Sequence, residues 1–209
     1  MATSILGSNS VQAVADEPIV RVDETGAVIV VPRTGYELVR RSKVFNASTA
    51  VGGVAPGTSV STTGGFALQN PDSNAGVTLL VLLSVRMAYL SGTLGAGAIA
   101  LVRHAAGADF TGTAITPMGS YLGSGTATGL PFTTATVPAS GTVVRYLFSL
   151  QASLASTAVT PWYMVADFTN DPIIIPGAEG ISLQGITAAG STPLVLYSVT
   201  WAEVAATVL

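Results

Sequence analysis

Apolar residues fall along this chain in short runs set apart by clusters of Gly, Pro, Ser and Thr, and helical spacing is nearly absent. Such punctuation breaks helices and suits strands joined by turns, so the pattern predicts an all-β chain. Gly52-Gly53, Pro56-Gly57 and Gly64-Gly65 mark turns ahead of Phe66–Asn70. The run Val77–Leu83, continuing through Val85, Met87 and Tyr89, is apolar at nearly every position instead of alternating. That reads as a strand with both faces covered, one by a core and the other by a second subunit. Leu80, Leu82, Val85, Met87 and Tyr89 are therefore the candidate oligomer interface.

Further strands are expected at Ala98–His104, Val143–Leu150, Tyr163–Phe168, Gly180–Ile186 and Leu194–Val204. Their number fits a jelly-roll β-sandwich of about eight strands. Gly107–Pro138, rich in Gly and Thr, reads as long loops or an edge hairpin.

The first part of the chain differs. Residues 1–18 form a small-residue tail, and Ile19–Val22 and Ala27–Val31 read as a small hairpin around Asp23-Glu24-Thr25-Gly26. Arg33, Arg40, Arg41 and Lys43 then supply four of the eight basic residues. A charge run of this kind is commonly a solvated face; the sharper reading is an arm that docks on an acidic partner. The expected organisation is an N-terminal arm over 1–45 and a sandwich domain over 46–209.

Composition sharpens the assembly reading. Only 9% of the residues are charged while 49% are apolar, and the mean hydropathy is +0.59. A free soluble domain carries roughly 25% charge, so either lipid or partners must cover the surface. Lipid needs about 20 apolar residues for a helix, and the uncharged run Met87–Val102 is broken by Ser91, Gly92, Thr93, Gly95 and Gly97. The reading is partners, not membrane. The N-terminus shows no secretory leader, so synthesis in a cytoplasm is expected. A net charge of −3 with seven dispersed arginines gives no basic stripe for nucleic acid.

Catalytic chemistry is thin. There is no cysteine, Lys43 is the sole lysine and His104 the sole histidine, which removes thiolate sites and P-loops and leaves any triad resting on one ring. Gly95-Ala96-Gly97-Ala98-Ile99-Ala100 fits a dinucleotide fingerprint in form, but lacks a following helix and acid, and reads as a glycine turn. Asp167, Asn170 and Asp171 offer oxygen ligands for a hard cation, with Asx-turn chemistry the preferred reading. Pro161-Trp162-Tyr163 reads as strand packing or as a platform for a sugar ring. The expectation is no enzyme and no cofactor.

Two stretches carry a resemblance: Gly64–Pro71 leading through Leu79–Tyr89 into Leu90–Gly97, and Ile181–Val204, with its Ala188–Pro193 turn and the closing Val199-Thr200-Trp201-Ala202-Glu203-Val204. Together they resemble small head proteins of tailed bacteriophages, similar to capsid decoration (cement) and head-fibre jelly rolls. Where related chains close on Trp and paired acids, Ala202 departs from the doubled acid. The resemblance implies a homotrimer on the outside of a phage head, bound to the major capsid protein. The alternative is a receptor- or carbohydrate-binding module of a fibre or tail.

Overall fold

A computed structural model of the chain describes residues 21–22, 28–29, 38–39, 41–72, 77–105, 110–122, 125–138, 141–150, 154–155, 163–188 and 190–206. The chain divides into two units, Met1–Glu37 and Leu38–Leu209. In the first, β1 (Arg21–Val22) pairs antiparallel with β2 (Val28–Ile29), matching Arg21 to Ile29 and Val22 to Val28. The second unit begins earlier than residue 46: Val44 and Phe45 pair with Ala202 and Trp201 in the sandwich.

In the second unit the strands are β3 (Val44–Ser48), β4 (Thr63–Gln69), β5 (Thr78–Ser91), β6 (Thr93–Leu94), β7 (Gly97–His104), β8 (Thr111–Ala114) and β9 (Met118–Gly119). They continue with β10 (Leu130–Thr136), β11 (Thr142–Leu150), β12 (Leu154–Ala155), β13 (Tyr163–Asp167), β14 (Ile173–Ile175), β15 (Gly180–Thr187) and β16 (Leu194–Ala205). All pairings are antiparallel, and the architecture is all-β with two sheets, consistent with a β-sandwich. One sheet has the order β11-β7-β15-β4-β10-β8; the other runs β13-β5-β16-β3-β9, with β14 also on β5. Pairing is nested: β3 with β16, β4 with β15, β5 with β13, β7 with β11. Segment 105–141 is inserted between β7 and β11 and lengthens both sheets beyond β4 and β3.

The core lies between the sheets. Phe66, Leu68, Leu101 and Leu183 from one meet Leu80, Leu82, Tyr197 and Trp201 from the other, all essentially without solvent exposure. Alternation places these residues inward, because successive side chains of a strand point to opposite faces. Asn70 joins the two layers where β4 ends: its Nδ2 donates to Thr78 O at 2.8 Å and to Ile175 O at 3.1 Å. After β5, Gly92 turns with φ +87°, and a Cβ there would strike the Thr192 carbonyl. Only glycine makes that turn without strain.

The outer faces of the two sheets differ. On the β7–β15–β4 sheet the chain covers itself: Ser61 N donates to Gln184 Oε1 at 2.8 Å, and Val137 N to Thr62 O at 2.8 Å. Beneath that cover Ser182, Gln184 and His104 are buried although they point away from the main core. On the β5–β16 sheet, positions facing outward between Val81 and Leu90 are half-buried or exposed.

Candidate functional site

The register of β5 corrects the expected oligomer interface. Leu80, Leu82, Val85 and Met87 point inward and are at most 1% exposed, spent in the subunit's own core. Tyr89 is half-buried at the edge of that core and its hydroxyl donates to the Gly92 carbonyl. The residues that face away are Val81, Leu83, Ser84, Arg86, Ala88 and Leu90. Both faces of a strand are buried instead on β15 and β4, whose outer sides lie under the chain's own loops.

That open side of β5 belongs to a continuous surface. Val165, Arg86, Ser198 and Ser48 form one row across β13, β5, β16 and β3, and paired residues share a face. The Ser48 and Ser198 hydroxyls bond each other at 2.9 Å. Around Arg86 a groove of about 350 Å³ is lined by Ser48, Val51, Ala88, Leu196 and Ser198. Val51 at its wall is 92% exposed. Apolar side chains flank it at the sheet edges, with Val165 50%, Ile174 43% and Met118 59% exposed.

Charges are sparse on this surface. Arg103 and Arg145 each have a carboxylate within the chain: Arg103 Nε donates to Glu179 Oε2 at 2.6 Å, and Arg145 Nη2 to Asp171 Oδ2 at 2.8 Å. Hydrogen bonding to Glu179, and its charge, raise the Arg103 pKa above its ordinary value. The Arg145 guanidinium also lies 5.5 Å from the centre of the Phe168 ring. Arg86 is exposed, and no carboxylate pairs with it among the described residues. Among the described residues the acid on the same open face is Asp167, also exposed.

The other sequence candidates resolve as follows. Arg33, Arg40 and Trp162 lie outside the described residues; Arg41 and Lys43 are exposed just before β3. Asp167 is held in an Asx turn: Oδ1 accepts from the Thr169 hydroxyl and, at 2.8 Å, from its backbone N–H. Those bonds, the hydroxyl first, lower its pKa. No cluster of three or more metal-ligating side chains occurs among the described residues. His104 is buried, its Nε2 2.8 Å from Ser182 Oγ and its ring edge-on to Phe110. The Gly95–Ala100 segment leads into strand β7, not a helix. No helix among the described residues is long and apolar enough to cross a membrane.

Sequence reasoning met Glu203 only as part of the closing stretch and gave it no structural role. It is buried in the closing strand, two residues from Trp201. Its Oε1 accepts from Thr128 N at 2.8 Å, Gly129 N at 2.8 Å and Trp201 Nε1 at 3.1 Å. A buried carboxylate is tolerated when N–H donors satisfy it, and here those donors tie the 125–130 loop to β16. The available signal was an acid inside an apolar strand on the same face as a tryptophan.

No family model, no curated protein and no solved structure matches this chain.

Proposed function

We propose that the chain is a structural, non-enzymatic virion protein, a jelly roll that assembles as a homotrimer and decorates the outside of a phage head. The observation that carries this reading is the β5–β16 face: a continuous sheet surface with, among the described residues, one arginine and one aspartate, while β4 and β15 at the centre of the opposite sheet are covered on both sides. A surface so poor in charge is what a subunit contact requires. The nested strand pairing supports the jelly-roll connectivity, and the resemblance at Gly64–Gly97 and Ile181–Val204 supports the phage setting.

The mechanism is thermodynamic. Each added interface, of about 1,200–2,000 Å² in a stable complex, favours the assembled shell. Three copies of the basic segment Arg33, Arg40, Arg41 and Lys43 multiply weak contacts with the major capsid protein through effective concentration. No cofactor takes part. Sedimentation velocity of the full chain at micromolar concentration tests the assembly step. A species of three times the 21.0 kDa chain mass is expected, and a monomer overturns it.

A second reading, a receptor- or carbohydrate-binding module of a fibre or tail, draws on the 110–132 insertion. There Ile115, Pro117, Leu130 and Phe132 line a groove of about 510 Å³, and Tyr121 beside β9 is 57% exposed. Glycan-array binding lost on shortening that insertion favours this reading over decoration.

A further inference from the structure

We infer that the open face of the β5–β16 sheet is the contact with a second copy of this chain, fixed in register by Arg86 of one copy against Asp167 of the next. This inference rests on the self-assembling reading above and names its surface.

Three observations support it. The first is area. Between Val81 and Leu90 the outward residues of β5 stay half-buried or exposed. At about 3.3 Å along a strand and about 4.8 Å between strands, the residues of β5, β16, β13, β14, β3 and β9 paired beside that stretch offer about 500 Å² of face. A standard interface buries about 800 Å² per partner, so this face supplies the larger part of one partner's share and the flanking Val51 adds to it. The second is composition: Leu196, Ala88, Val165 and Ile174 alternate with small hydroxyl residues, and the strongly hydrated lysine and glutamate side chains that disfavour contact are missing from the β-strand rows of this face.

The third is charge. Among the described residues, Arg86 and Asp167 are the charged residues facing outward on this stretch, one of each sign, on neighbouring strands. Val165 stands opposite Arg86 and Asp167 opposite Ser84, which makes Arg86 and Asp167 diagonal neighbours. They form no ion pair with each other. A face carrying one unpaired cation and one exposed anion is complementary to itself. In a closed ring each interface then holds one Arg86–Asp167 pair, with the β13 edge of one copy lying over the Arg86 groove of the next. Such pairs set register and partner choice more than they set affinity. On the opposite sheet the outer sides of β15 and β4 are closed by Ser61, Thr62 and Val137, and exposure returns only toward its edge, at Val144 and Tyr146 of β11.

Charge exchange tests the contact. Arg86→Glu and Asp167→Arg are each expected to move the assembly midpoint in sedimentation equilibrium to about tenfold higher concentration or more, and the double exchange is expected to restore it. Asp167→Asn keeps the acceptor that holds Thr169, so its weaker assembly reports the lost charge and not a broken turn. Circular dichroism establishes that each variant is folded. A wild-type oligomer whose midpoint neither Arg86→Glu nor Asp167→Asn moves overturns this inference and leaves the self-assembling reading intact. A wild-type chain that stays monomeric overturns that reading itself.

Discussion

Removing the Glu203 carboxylate is expected to be among the most damaging single changes in the sandwich. Glu203→Ala takes away the acceptor of three N–H groups, and Gly129 and the Trp201 indole are buried while Thr128 is half-buried. Each buried donor left without an acceptor costs about 1–3 kcal/mol, and water reaches Thr128 more readily than the other two. The expected loss is about 3–5 kcal/mol, a large part of the 5–15 kcal/mol typical of a domain. Glu203→Gln is milder. It keeps Oε1, which receives all three bonds, but places an amide N–H2 where Oε2 lies 3.0 Å from Thr128 N. About 1–2 kcal/mol is expected there. Urea unfolding followed by Trp201 fluorescence measures both, and hydrogen exchange at Thr128 and Gly129 reports whether the loop has come loose. An alanine variant within about 1 kcal/mol of wild type refutes the reasoning, since the orphaned donors would then have found other partners.

Other outcomes follow from the same structure. Tyr197 is buried with no partner for its hydroxyl among the described residues, so Tyr197→Phe is expected to hold or raise stability by about 1 kcal/mol in denaturant unfolding, where a loss of that size contradicts it. Burial also raises the Tyr197 pKa; the folded state therefore holds its proton more tightly, and the stability this provides is complete below about pH 10 and lost as pH rises beyond it. The phenylalanine variant should lack that share of the alkaline loss. Gly92→Ala adds a Cβ against the Thr192 carbonyl at φ +87°, for an expected loss of about 3 kcal/mol by thermal unfolding. The two sides of β5 should separate cleanly: Leu82→Ala costs about 2–5 kcal/mol of stability, while Leu83→Ser weakens assembly with little effect on unfolding of the subunit.

The strands were legible because Gly and Pro clusters bound them and because β-branched residues fill them. The direction of β5 was not. Its outer positions Val81, Leu83 and Leu90 are as apolar as its inner ones, so the period-two contrast that tells inside from outside vanishes. A bulge then reverses the parity: Leu82 pairs with Trp201 and Ser84 with Thr200, leaving Leu83 as the extra residue. Hence Leu80 and Leu82 point inward, and after the bulge Val85 and Met87 do so. The cover on the other sheet was equally hidden, because it depends on Ser61 meeting Gln184 across 123 residues. Arg86 gave no signal as a lone cation in an apolar strand; its setting emerged only when β13 brought Asp167 onto the same face.

Immunogold electron microscopy of particles from the source culture, with an antibody against this chain, tests the structural account most directly. Label spread over the heads is the predicted result. Label confined to tails or fibres would move the chain to the receptor-binding reading, and particles without label would contradict the account altogether.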